Sequence, residues 1–171
     1  MLGREYKTTS RTRKICNLDQ AGNIGILYFL PDEETYETIS QYVKKLQERE
    51  KIVKVLGYVE NKHLTDRFAP KLSYDYLFPS ELNWYLKPQS NAARDFMDMH
   101  FDILIDLSLQ EVMPLKYMLA LSKAHFKVGL QSDNKSEYLD MMINLKSDGT
   151  LNELISQVDH YLDELNKKNE S

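Results

Sequence analysis

Asp106 lies near the end of an apolar run, residues 101–107, and Ser108 follows that run directly. A carboxylate at the end of a buried strand can act as a general base or hold the hydroxyl of a bound molecule. It can also accept backbone N–H groups from the next loop and tie strand to helix, which is the expected role for a lone acid. Pro31 and Asp32 follow an earlier apolar run in the same way, and Asn61 follows the run between them. If these runs are parallel strands, their ends border one crevice, because ligands of such sheets bind outside the carboxyl ends where the strand order reverses. Asp106 and Ser108 are then the catalytic candidates, and Pro31, Asp32 and Asn61 the ligand-binding candidates. Two acids there would suit a cation or a hydroxyl-rich ligand better than a phosphate.

Phosphate sites have a recognisable chemistry that this chain lacks. It contains neither the glycine pattern of dinucleotide sites nor that of a nucleoside triphosphate loop. The turn at residues 30–34 reads Leu-Pro-Asp-Glu-Glu, and its acids would repel a phosphate at the helix start. The four histidines, His63, His100, His125 and His160, show no metal-ligand spacing and no cysteine joins them. No cofactor and no metal are therefore expected. His100 and His125 each precede an apolar run, at the end of a strand opposite to the one that ligands use. Cys16, the only cysteine, cannot form an internal disulfide.

Tyrosine occurs 11 times, and Tyr74, Tyr76 and Tyr85 lie close in sequence to Phe78 and Trp84. Such a group can form a stacking surface for a ring-shaped ligand or a partner protein. It can also form a core beneath a long loop, with a few rings at its rim.

The elements that would position these residues alternate. Residues 23–30 and 52–59 are β-rich runs, and residues 33–49 between them carry Tyr36, Ile39, Val43 and Leu46 at helical spacing. Asp32 caps that helix, and Glu33 and Glu34 suit its positive end. The pattern breaks between residues 61 and 72. A short strand is expected at 74–78 and a helix at 91–99, with Ala92, Phe96 and Met99 on one face. A buried strand follows at 101–107, then a helix at 113–124 with Pro114 in its first turn. Short strands are expected at 126–130 and 139–145. Thr150 and Glu153 have capping-box spacing and open a helix whose Leu151, Leu154, Ile155, Val158, Leu162 and Leu165 recur at steps of three and four.

Strands alternating with helices predict a single Rossmann-like α/β domain. Its sheet is mostly parallel and ordered 3-2-1-4-5, with the sixth strand at the edge and helices on both faces. The domain is read at residues 21–166, after a basic leader at 1–20 and before a frayed tail at 167–171. The leader holds Arg4, Lys7, Arg11, Arg13 and Lys14, and could be a contact arm or a solvated segment along the domain. The 171 residues suit one domain. A net charge of −4 argues against broad binding to nucleic acid or anionic membrane. With no signal peptide and no apolar run of membrane-spanning length, a cytoplasmic location is expected.

The stretch from Phe101 to Ser108 and the segment Ala-Leu-Ser-Lys-Ala-His-Phe-Lys-Val-Gly, residues 120–129, resemble an uncharacterised family of short Bacteroidetes proteins. Gly25-Ile-Leu-Tyr-Phe fits the same family. That resemblance covers most of the chain and implies a bacterial protein with a domain of unknown function. The same stretch is similar to the N-terminal half of the heptosyltransferase-like glycosyltransferases, where a strand ending Ile-Asp-Leu precedes a helix and then a basic residue and glycine. It would map Asp106 to the strand-end acid and Lys127 and Gly129 to the later strand. That family has a glycine-and-aspartate loop where this chain has Pro31-Asp32-Glu33, and it binds its sugar nucleotide mainly in a second domain. The similarity thus implies shared architecture without the activity. The expected function is a non-catalytic binding or interaction module for an unknown protein or small-molecule partner. The alternative is a small enzyme or transferase-related subunit working at Asp106.

Overall fold

The structure is a computed structural model that describes residues 2–165. The expected frayed tail, 167–171, lies outside the described residues. Six strands form one sheet: β1 (Asn23–Phe29), β2 (Ile52–Tyr58), β3 (Tyr74–Leu77), β4 (Ile103–Asp106), β5 (Lys127–Leu130) and β6 (Met141–Ile143). Their spatial order is β3-β2-β1-β4-β5-β6, and all five pairings are parallel.

A parallel sheet is covered on both faces, so its inner strands are mostly apolar, with Lys54, Asp106 and Lys127 the charged exceptions. In β1, Ile24, Ile26 and Tyr28 enter one core layer with Val53, Val55, Ile103 and Ile105 of the neighbouring strands. Leu27 enters the other layer with Leu56 and Leu104. The first layer is closed by α2 (Glu33–Glu48) and α5 (Leu151–Glu164). The second is closed by α1 (Leu2–Thr8), α3 (Asn91–Asp98) and α4 (Met113–Leu121). The Phe101 ring lies against Gly25, where any Cβ would stand 2.7 Å from ring carbons. Only glycine admits that approach.

Three elements, α3, α4 and β6, differ from the expected pattern, and two segments whose form the pattern left open, the leader and residues 62–67, take shape. The leader begins as a helix, α1, whose Leu2 is buried beneath the second layer. In α3 the buried pair is Ala93 and Phe96, and Ala92 is only partly covered, because the helix starts at Asn91 behind its Ser90 cap. The α4 helix stops at Leu121: Ser122 turns extended, and its Oγ accepts from the Ala124 N–H at 3.1 Å. The last strand is cut to three residues, Met141–Ile143, and residues 62–67 form a 3-10 turn where the sequence pattern broke down.

The α5 cap has the expected form. Thr150 Oγ1 accepts from the Glu153 N–H, and Glu153 Oε2 accepts from the Thr150 N–H, both at 3.2 Å. Leu154, Val158 and Leu162 are fully buried against the first layer. In urea unfolding, Thr150→Ala is expected to lose about 1 kcal/mol. Leu154→Ala and Val158→Ala are expected to lose roughly 2–4 kcal/mol each through lost packing and the cavity left behind. Wild-type midpoints for both kinds of variant would mean that α5 is not core.

Candidate functional site

The strand order reverses between β1 and β4, and Asp106 sits at that point, paired in register with Leu27. Asp106 is fully buried. Its Oδ1 accepts from the Ser108 backbone N–H at 3.0 Å, which folds the strand end back on itself. Its Oδ2 accepts from Lys135 Nζ at 3.0 Å. Lys135 is itself buried, so the two form an ion pair shielded from solvent. A buried pair of this kind recovers its desolvation cost only through good geometry and extra hydrogen bonds, and removing one partner is strongly destabilising.

Lys135 comes from the connection between β5 and β6. That segment winds into turns in which the Lys135 and Ser136 N–H groups donate to the Ser132 carbonyl. Tyr138 anchors it by packing edge-on against Tyr6 of α1 at 4.8 Å between centroids. The loop thus places a cation on the strand-end acid from within the domain. Ser108 is buried as well, and its Oγ has no hydrogen-bond partner among the described groups.

The other candidates serve their own elements. Asp32, in extended backbone, accepts from the Thr35 N–H at 2.8 Å and from Thr35 Oγ1 at 2.7 Å, capping α2. These two bonds, the backbone one first, hold its carboxyl below the usual range. Asn61 Oδ1 accepts from the His63 N–H at 3.2 Å and caps the 3-10 turn, while Pro31 is exposed between β1 and α2. The structure therefore joins Asp106 and Ser108 by a hydrogen bond and adds Lys135, which the sequence did not single out. A lysine flanked by Asn134 and Ser136 in a polar loop gives no sign of a partner 29 positions away.

The aromatic stretch divides. Tyr74 and Tyr76 lie on the α2 side, near Tyr36 and Phe68, whose rings stack at 3.7 Å. Tyr85 belongs to the opposite layer and approaches Tyr117 at 6.3 Å. Trp84 packs edge-on against Tyr85 but remains 84% exposed. Residues two apart on a strand share a face, so Tyr74 and Tyr76 stay together while the following loop carries Trp84 and Tyr85 elsewhere.

Trp84 sits on a stiff loop. Asn83 Oδ1 accepts from the Tyr85 and Lys87 N–H groups, the Asn83 carbonyl accepts from Leu86, and Leu82 bridges Pro88. Leu86 is held at φ 67°, a left-handed conformation costing a non-glycine residue of order 1–2 kcal/mol. Lys87 Nζ bonds Glu5 of α1.

One hollow of about 260 Å³, lined by Leu109, Leu130 and Asn144, opens at the carboxyl end of β5 and β6, and two cavities lie away from the strand-reversal point. A cavity of about 570 Å³ borders Lys87, Arg94, Met97 and Lys123, and one of about 500 Å³ lies at the amino-terminal end of β5 and β6. Neither is lined by Asp32, Asp106 or Ser108. Cys16 is buried, and its burial, then the Asp102 charge, push the thiol up, away from nucleophilic reactivity. No tight binding of ATP, NAD or a sugar nucleotide is expected, given the acidic turn at Asp32 and the occupied Asp106. A micromolar dissociation constant in calorimetry would contradict this.

Fold and site together define a Rossmann-like α/β domain whose strand-reversal acid is held by the domain's own lysine. The chain belongs to DUF6913, a family of unknown function whose model matches residues 2–165. No curated protein matches it significantly. No helix among the described residues is long and apolar enough to cross a membrane.

Proposed function

We propose that this domain is a non-catalytic binding module that engages a protein partner through the loops at the carboxyl end of its sheet, with Trp84 as the anchor. The observation that carries this reading is the presentation of Trp84: an indole 84% exposed on a loop locked by Asn83 and Leu86. Tryptophan dominates binding hot spots, and a loop already ordered before contact loses little entropy on binding. Strain held at Leu86 by surrounding hydrogen bonds is typical of functional loops. A cytoplasmic, bacterial setting belongs to the same reading, and the likeness to heptosyltransferase-like enzymes is taken as one of architecture.

The enzyme alternative has one observation in its favour, the buried and unpartnered Ser108 hydroxyl beside Asp106. Against it stands the setting of Asp106, which is fully buried and covered by its ion pair with Lys135. A general base must lie within hydrogen-bond reach of a substrate proton.

Affinity enrichment from the source cells, comparing wild type with Trp84→Ala, tests the module. Trp84→Ala should keep stability within about 0.5 kcal/mol of wild type, since an exposed side chain is removed. A protein enriched by the wild type should be lost with the variant. Equal enrichment with both would remove Trp84 from the account.

A further inference from the structure

The amino-terminal end of the sheet carries a different kind of surface. A cavity of about 500 Å³ opens there between the segment after α1, the starts of β5 and β6, and the end of α5. Ile15, Phe126, Met141 and Leu165 form its apolar walls, and Arg13 and Lys14 stand beside them. The Arg13 side chain is 63% exposed and Lys14 is also exposed.

Among the described residues the cavity is lined by more cations than anions: Arg13 and Lys14, with His125 also in its wall, against Asp140 as its one carboxylate. It is already neutralised by Arg11, which binds both its oxygens at 2.8 Å, and its Oδ2 also accepts from the Lys127 N–H at 2.9 Å. Arg13 Nε, 3.6 Å from Asp140, is a second cation on a carboxylate already engaged. Lys14 has no ion-pair partner among the described residues. Lys127 lies buried behind them, and its burial first, then the Arg11 charge, depress its ammonium to about 7, while Asp140 acts the other way. Asp102, which accepts from the Gly22 and Asn23 N–H groups, keeps its negative charge but lines the smaller hollow beyond Ile15 and not this cavity.

We infer that this cavity binds a small amphipathic anion, an alkyl carboxylate, with its acid group against Arg13 and Lys14 and its chain against Phe126, Met141 and Leu165. The volume lies in the range of small-molecule sites, about 300–1,000 Å³, which combine apolar walls with a few placed polar groups. An apolar cation would meet the surplus of positive charge, and a short hydrophilic anion would leave the walls unused. This site is independent of the Trp84 loop, so either can fail without the other.

Octanoate titrated into the full chain, followed by backbone amide NMR shifts, tests the inference, with acetate and octylammonium as parallel titrants. Saturable octanoate shifts are expected at Ile15, Phe126, Met141 and Leu165, with acetate and octylammonium weaker by about tenfold or more. Arg13→Glu and Ile15→Glu change exposed side chains and should leave the spectrum folded. Each should weaken octanoate by about tenfold, a difference of about 1.4 kcal/mol. Octanoate binding no tighter than acetate, equal binding of octylammonium, or shifts confined to another surface would each overturn the inference.

Discussion

Lys135→Ala is expected to be among the most damaging single substitutions in this domain, costing about 3–5 kcal/mol. Asp106 is fully buried and Lys135 is 3% exposed, so the variant leaves a carboxylate in the interior with only the Ser108 N–H beside it. Domains of this size have a total stability of roughly 5–15 kcal/mol, so such a loss brings the chain close to unfolding. The cost is that of an orphaned charge and not the net worth of the pair. Replacing both partners, Asp106→Leu with Lys135→Met, should therefore recover much of it. Urea midpoints of the single and double variants measure the difference. A Lys135→Ala variant within about 1 kcal/mol of wild type would mean that the pair opens to water and that Asp106 is available to a ligand.

Stability should rise with pH from about neutral to mildly alkaline, and Lys127 should be the cause. Its Nζ donates to the Leu119 and Ala120 carbonyls at the end of α4, supplying partners those carbonyls lack within the helix. Burial, with Arg11 next, lowers its pKa to about 7, against an ordinary value of 10.5. Between these values the unfolded chain holds the proton and the folded chain does not, so raising the pH favours folding. The penalty for burying the charge is complete below about pH 7 and is relieved as pH climbs toward 10.5. At 1.36 kcal/mol per unit, the gain from pH 7 to 9.5 is on the order of 3 kcal/mol. Lys127→Met should flatten this rise and be most stabilising, relative to wild type, near pH 6. Parallel denaturation curves of both proteins over that window decide it. An equal pH dependence in the variant would show that Lys127 keeps its charge in the fold.

The sheet was legible because its inner strands are largely apolar runs of strand length, bounded in β1 by Gly22 and Pro31. Capping chemistry is local, so Asp32 and Thr150 could be read from the residues three positions on. The site was only half legible. Asp106 and Ser108 stand out because they interrupt an apolar pattern. Lys135 does not, since its surroundings are polar in sequence and become buried only when the β5–β6 loop folds over the strand end. The same holds for Arg11 and Asp140, 129 positions apart. A basic leader could be read as a contact arm or as a segment along the domain, and its pairing was hidden until Asp140 was placed in space, where Arg11 is bound inside the domain. The density of aromatic residues after β3 was plain, but which rings would be covered depended on the face each loop reached.

Trp84 is the only tryptophan in the chain, so a fluorine-labelled tryptophan gives a single resonance that reports the proposed anchor alone. Its shift and its sensitivity to solvent should first match an exposed indole. On titration with the partner obtained by enrichment, the resonance should move to a new position and lose that sensitivity, in step with complex formation. A partner that binds fully while the resonance stays at its free position would contradict the account, because the binding face would then lie elsewhere on the domain.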